Sequence, residues 1–298
     1  MSLVHRMRPA LSQVPYLTRD VALVLKGVFG SATGLLSGLI VLAYAVIAIF
    51  AHHLAPADPS ATNLIARLRP PGPENWFGTD ALGRDILSRA MHGARVSTLV
   101  GLATVAIAAS VGVTLGLIAG YTRGWLDLVL SRFSELILAF PYLIFAILMM
   151  AFLGPGFWNL VIAFAAIFWI EFFRLSRGET LTQATREYVE AARALGQSSS
   201  RIMVVEILPN IVPAVLVLAT LRVGFIIVLE ASLSFLGVGI PPAIPAWGTM
   251  ISEGREVLLV AWWVSTIPGV VLLVLVLAIN LLGESLREVL DPRLKLQS

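Results

Sequence analysis

The chain has no cysteine among its 298 residues. That excludes a disulfide framework, a thiol nucleophile and any cysteine-ligated metal centre. Charge is scarce too: 13% of residues are Asp, Glu, Lys or Arg, against 58% hydrophobic. An ordinary soluble domain carries about a quarter charged residues. With a mean hydropathy of +0.88, the composition places the chain among membrane proteins. The four histidines are scattered. The adjacent pair His52-His53 lacks the carboxylate cluster of a metal site and reads as a cap at a membrane interface. The formal net charge of +3 is spread along the chain, so no basic block points to nucleic acid. There is no Gly-x-x-x-x-Gly-Lys-Ser/Thr loop for ATP and no nucleophile–base constellation. The expectation is a protein that is not an enzyme and cannot hydrolyse ATP by itself. No internal repeat and no low-complexity tract is present.

What the chain does have is long apolar runs. A membrane-spanning helix needs about 20 mostly apolar residues. Six stretches qualify, at 28–51, 96–120, 128–153, 157–173, 211–236 and 262–282. The fold class expected is all-α: a polytopic bundle of six transmembrane helices. The second stretch is rich in small residues (Gly101, Ala108, Ala109, Gly112, Gly116), which let helix backbones approach closely in lipid. The third and fourth are separated only by Gly154-Pro155-Gly156 and are expected to form a tight helical hairpin. Pro141 and Pro268 are expected to kink the third and sixth. The first stretch is too long for the apolar core of a cleavable signal, so the segment ahead of it reads as a cytoplasmic flank.

Orientation follows from the flanking charges. With the N-terminus inside, the inner side holds 14 of the 21 basic residues and the outer side 6, Arg222 lying within a span. Both termini are read as cytoplasmic. The chain then divides into an inner tail at 1–27, a first span at 28–51, an external segment at 52–95, a core of five spans at 96–283 and a second inner tail at 284–298. The longest inner connection, 174–208, lies within the core.

That inner connection is the most informative segment. Residues from Glu187 to Leu195 form helix readily, with Glu190, Ala191, Ala192 and Arg193 among them. Gly196 stands where a helix stops, because glycine accepts the left-handed conformation. Ser198 or a following serine can cap a second helix at 201–208. Pro209 and Pro213 allow that helix to bend into the fifth span. Val189, Ala192 and Leu195 or Gly196 lie near one face, where small residues permit another protein to dock. From the residues alone, a docking helix and an ordinary solvated loop helix are equally good readings.

Outside, residues 78–95 alternate acids and arginines (Asp80, Arg84, Asp85, Arg89) around Gly83. These can pair at helical spacing, giving a self-neutralised amphipathic helix at the membrane surface. Docking of an external protein is compatible with that reading. Arg222 and Glu230 fall inside the fifth span. A charge at mid-membrane costs on the order of 2.5–3.5 kcal/mol, so such residues face a cavity or a partner. They are about 12 Å apart in rise and cannot pair directly. Either both line a transport path, together with Ser234, or they pair with other helices.

The inner segment resembles the "EAA" loop of ATP-binding-cassette importer permeases. Glu190-Ala191-Ala192, Gly196 and Leu208-Pro209 fall at the family's spacing, while Glu206 stands where the family has isoleucine. The resemblance extends over most of the chain. Phe77-Gly78-Thr79-Asp80, Gly83-Arg84-Asp85, Ser88-Arg89, Gly93 and Arg95 are similar to the dipeptide, oligopeptide and nickel permease family. So are Glu230-Ala231, Leu233-Ser234-Phe235-Leu236-Gly237, Trp247-Gly248, Leu282-Gly283 and Leu290-Asp291-Pro292. Order and spacing resemble the C-type member of the paired permeases.

The resemblance implies a type I importer bundle in a bacterial inner membrane. It implies four partners besides lipid: a second homologous permease, two ATPases and an external substrate-binding protein. ATP and Mg would be bound by the ATPases, with no cofactor on this chain. Residues Glu187 to Ser198 would couple to the ATPase. Short peptides are the implied cargo, with nickel chelates, glutathione and opine-type or sugar-derived solutes as alternatives. The rival class is a secondary transporter or channel, for which two intramembrane charges make a poor relay.

Overall fold

The computed structural model describes residues 16–290. The first fifteen residues of the expected inner tail, and Asp291, Pro292, Arg293 and Lys295 of the other, lie outside the described residues. The described chain is helical, with no strand and a single β-bridge between Thr79 and Asp85. A helix α1 (Tyr16–Gly30) precedes α2 (Ala32–Leu54). The first span therefore starts at Ala32, later than residue 28. Ser31 sets the boundary by accepting the N–H of Gly34 at 3.0 Å. Next come a 3₁₀ turn (Leu64–Ala66) and the 37-residue α3 (Ile86–Thr122). Then follow α4 (Trp125–Leu138), α5 (Tyr142–Leu153), α6 (Phe157–Gln183) and α7 (Glu187–Ala194). The short α8 (Ser199–Arg201) runs through π-helical turns (Ile202–Ile207) into α9 (Leu208–Phe235), and α10 (Trp247–Arg255) and α11 (Trp263–Leu290) follow.

Five of these helical stretches are long and apolar enough to cross a bilayer. The third expected span is different. Helices α4 and α5 meet at 93°, so 128–153 is a broken element and not one helix. Pro141 lies at the break, where it cannot continue the preceding helix and pushes Phe140 out of the helical region. With 12 residues, α5 is about 18 Å long and shorter than the hydrocarbon core. Pro268, by contrast, sits inside a continuous α11. The hairpin between α5 and α6 forms as expected, with Gly154 at φ +79° and the Asn159 amide donating to the carbonyl of Leu153 at 2.7 Å.

The core is built on α3 against α6. Glycines at 112, 116 and 120 recur every fourth residue on the face of α3 that meets α6. A Cβ on Gly112 would lie 2.3 Å from the carbonyl oxygen of Trp169, and one on Gly116 2.6 Å from that of Phe173. The two backbones touch, as the small-residue stretch predicts. On the other side, Phe164, Phe168, Phe172 and Phe173 of α6 fill the bundle interior. Asp127 of α4 accepts the Arg177 guanidinium of α6 in a two-point pair, and this ties the bent element to the core.

Candidate functional site: the α7 loop, a charged groove and a four-residue ion-pair lock

The inner loop is more helical than expected. Helix α6 reaches Gln183 and α8 continues into α9, so only residues near 184–186 and 195–198 are non-helical. Helix α7 ends as glycine dictates. Gly196 has φ +76°; its N–H donates to the Arg193 carbonyl (3.0 Å) and the Gln197 N–H to that of Ala192 (3.1 Å). That is the Schellman pattern, closed by a left-handed C′ residue. The hydroxyl of Ser198 then accepts the Arg201 N–H at 3.4 Å, starting the next helix. The π-helical turns lie directly ahead of Pro209, whose ring would meet the Val205 carbonyl in a regular helix. No sharp bend into the fifth span results.

One face of α7 corrects the expectation. Val189 and Ala192 are buried within the chain, against Ala184, Ile202, Ile207, Ile211 and the inner end of α3 at Leu117. They hold α7 in place and are not free for another protein. Ile207 fills the apolar place next to Glu206, as the sequence suggests. Glu187, Glu190, Ala191, Arg193, Leu195, Gly196 and Ser198 are exposed, and Leu195 is 78% exposed. The Arg193 guanidinium lies 5.8 Å from the Tyr121 ring, a second link to α3. Tyr188 donates to Gln183 at 2.9 Å. Partial burial, then the Glu206 carboxylate, pushes its phenol above the ordinary value, so it stays a donor.

The intramembrane charges separate. Glu230 is fully buried, accepting hydroxyls from Ser97 of α3 (2.6 Å) and Ser234 (2.8 Å). Ser234 is also buried, and its hydroxyl accepts the Ile240 N–H at 3.1 Å. Both lie in the packed seam between α3 and α9 and are closed off within this chain. Arg222 is different: it pairs with Glu171 of α6, whose other oxygen accepts the Tyr142 hydroxyl at 3.2 Å. The pair opens on a cavity of about 480 Å³ lined by Tyr142, Glu171, Arg174, Ala214, Arg222 and Arg287, among others. A second cavity of about 710 Å³ shares Ala214, Val217 and Arg287 and reaches Arg186 and Asn210 beside α7. Together they form one groove between α6, α9 and α11. It runs about 18 Å from mid-span to the loop that carries α7.

The outer segment is not a separate amphipathic helix. Residues 86–95 are the start of α3, and Asp85 caps it, accepting the Ser88 N–H at 2.8 Å. Asp85 pairs with no arginine. Gly83, at φ +73°, lies so close to Asn63 that a Cβ would sit 1.8 Å from its carbonyl oxygen. Asp80 binds Arg84 (2.6 Å) and Arg89 (3.2 Å), and both arginines also bind Glu253 of α10, at 2.8 and 2.9 Å. Glu253 was missed by sequence reasoning, being 164 positions from Arg89. The four side chains lock α10 to the start of α3. Glu253→Gln should cost about 1.5–3 kcal/mol, the worth of charge-assisted hydrogen bonds. Hydrogen exchange should then speed up in α10 and not in α6; unchanged exchange in α10 would show that the lock is idle.

Residues 112–296 match the family described as "Binding-protein-dependent transport system inner membrane component". The chain belongs to that family. The matched region covers the glycine face of α3, the loop that carries α7, the groove and α11. Curated relatives extend the likeness. A di/tripeptide transport system permease protein, DppC, of Pseudomonas aeruginosa is 42% identical over 90% of each chain. A glutathione transport system permease protein, GsiD, of Pectobacterium atrosepticum is 40% identical over 87% of this chain and 86% of its own. A dipeptide transport system permease protein, DppC, of Alkalihalophilus pseudofirmus is 41% identical over 86% and 84%. This member of the binding-protein-dependent transport family is thus an all-helical, multi-pass inner-membrane permease of the importer class.

Proposed function

We propose that this chain is the C-type permease subunit of an ATP-driven importer of short peptides. It pairs with a second permease, takes solute from an external binding protein and is driven by two ATPases that carry the ATP and Mg. The relatives named for dipeptide and di/tripeptide transport support the cargo class. The glutathione relative supports a close variant of it, since glutathione is itself a small peptide-like solute.

One observation carries the coupling role. Helix α7 is braced from behind by the Val189–Ala192–Ile202–Ile207 cluster and presents Glu190, Ala191, Leu195 and Gly196 outward. An ATPase cleft closing on that outward face would push α7 as a unit. The brace touches α3 through Leu117 and α9 through Ile211, so the push passes into both spans. The groove runs beside α9, and rocking that span would open or shut it. The reading needs α7 on the cytoplasmic side. Single cysteines are clean probes because the chain has none. Cysteines at Ser60 and Ala243 should react with an impermeant external reagent in intact cells, and one at Ser199 should not. Labelling at Ser199 would refute the orientation and with it the coupling role. Co-purification of an ATPase that is lost on deleting Glu187–Ala194 would support both.

A further inference from the structure

We infer that the groove holds a carboxylate-binding subsite for the solute in transit, formed by Arg222, Arg174 and Arg287; this rests on the peptide reading above. Charge bookkeeping leads to it. The upper cavity is lined by three guanidinium groups and one carboxylate. That carboxylate is already engaged: Glu171 faces Arg222 Nε with one oxygen and takes the Tyr142 hydroxyl with the other. The contact with Glu171 is made at Nε of Arg222. Among the described residues, neither of its terminal nitrogens donates a hydrogen bond.

Arg174 lies one turn further along α6, and no described carboxylate is within ion-pair distance of it. Among the described residues Arg287 has only Glu284, at 4.0 Å and with both side chains more than half exposed. Among those residues two positive charges therefore remain uncompensated along one wall. A guanidinium at mid-span is costly in lipid, so this wall faces a polar space. The Phe225 ring lies 5.3 Å from the Arg222 guanidinium and supports it by a cation–π contact. A planar guanidinium edge matches a carboxylate in a two-point contact. Every peptide with an unblocked end carries one such group. Towards the coupling loop the lower cavity adds Glu179 and Arg186, which cancel. The excess positive charge is thus confined to the stretch between mid-span and Arg287, where a carboxylate could pass from one arginine to the next.

The test uses the complete complex in liposomes of phosphatidylcholine and phosphatidylethanolamine. Uptake of a dipeptide is compared with uptake of its C-terminal amide. The binding protein's own preference enters the unaltered and variant complexes alike, so it cancels when their acid-to-amide ratios are divided. Arg222→Gln strands Glu171 and can cost the fold; Arg174→Gln changes an exposed, unpaired side chain and keeps the test valid. In both, the acid-to-amide ratio should fall about tenfold, the scale of one charge-assisted contact. Equal losses for acid and amide, or an unchanged ratio, would overturn the subsite while leaving peptide import standing. A ratio that falls only when anionic lipid is added would assign the arginines to a headgroup and also overturn it. No uptake of either compound by the unaltered complex would instead refute the peptide reading itself.

Discussion

Gly196→Trp should abolish substrate-stimulated ATP hydrolysis by the assembled complex while leaving the permease inserted and folded. A Cβ at Gly196 meets nothing within 4 Å, so the indole projects into open space on the outward face of α7. Strain at φ +76° costs about 1–3 kcal/mol and acts only on the last turn of α7. Gly196→Ala separates the two effects, since it carries the same backbone strain without the bulk. The alanine variant should keep most of its stimulated hydrolysis and the tryptophan variant none. Glu190→Lys, on the same exposed face, should fall between them. Equal activity in the tryptophan and alanine variants would mean that nothing docks on this end of α7.

The second large effect lies in the bundle. Gly112→Leu should remove the folded protein from the membrane. Its side chain would have to displace the Trp169 carbonyl oxygen at 2.3 Å and the Phe173 nitrogen at 2.8 Å, both backbone atoms. Overpacking usually costs about 1–3 kcal/mol where side chains can yield. Here two helix axes must part, and Gly116 and Gly120 lose their contacts as well, so the loss should exceed about 3 kcal/mol. Gly178→Leu is the control. It lies on the neighbouring α6, where a Cβ meets nothing within 4 Å, and it should be harmless. Normal amounts of folded Gly112→Leu, judged by thermal unfolding in detergent, would contradict the close helix packing.

Much of this was legible in the sequence because lipid imposes strict rules. A span must be long and apolar, and close helices must be small at their contact, so five spans and the face of Gly112 and Gly116 could be read directly. Gly196 was legible for a local reason: a left-handed helix end asks for glycine. A kink between α4 and α5 was legible at Pro141, but the size of the bend was not, because 128–153 reads as one apolar stretch interrupted only near Arg132 and Glu135. The outer segment misled because Asp80, Arg84, Asp85 and Arg89 have helical spacing. The chain uses Gly83 to turn there and Asp85 as a cap. Val189 and Ala192 looked like a docking face, since a buried face and a docking face have the same composition. Glu171 was passed over although it is an acid inside the fourth apolar stretch, and its pairing with Arg222 of the fifth is a contact that no local pattern encodes. The bond from Ser97 of α3 to Glu230 is likewise a contact between distant segments that no local pattern encodes.

The central claim is that this permease moves peptides by coupling to ATP hydrolysis through α7. The most direct measurement is uptake of a labelled dipeptide into liposomes holding both permeases and the two ATPases, with loaded binding protein outside and ATP inside. Uptake should require ATP and binding protein together, ignore an imposed proton or sodium gradient, and vanish with Gly196→Trp. Uptake that proceeds without ATP, or that follows the ion gradient, would contradict the claim and return the chain to the class of secondary transporters or channels.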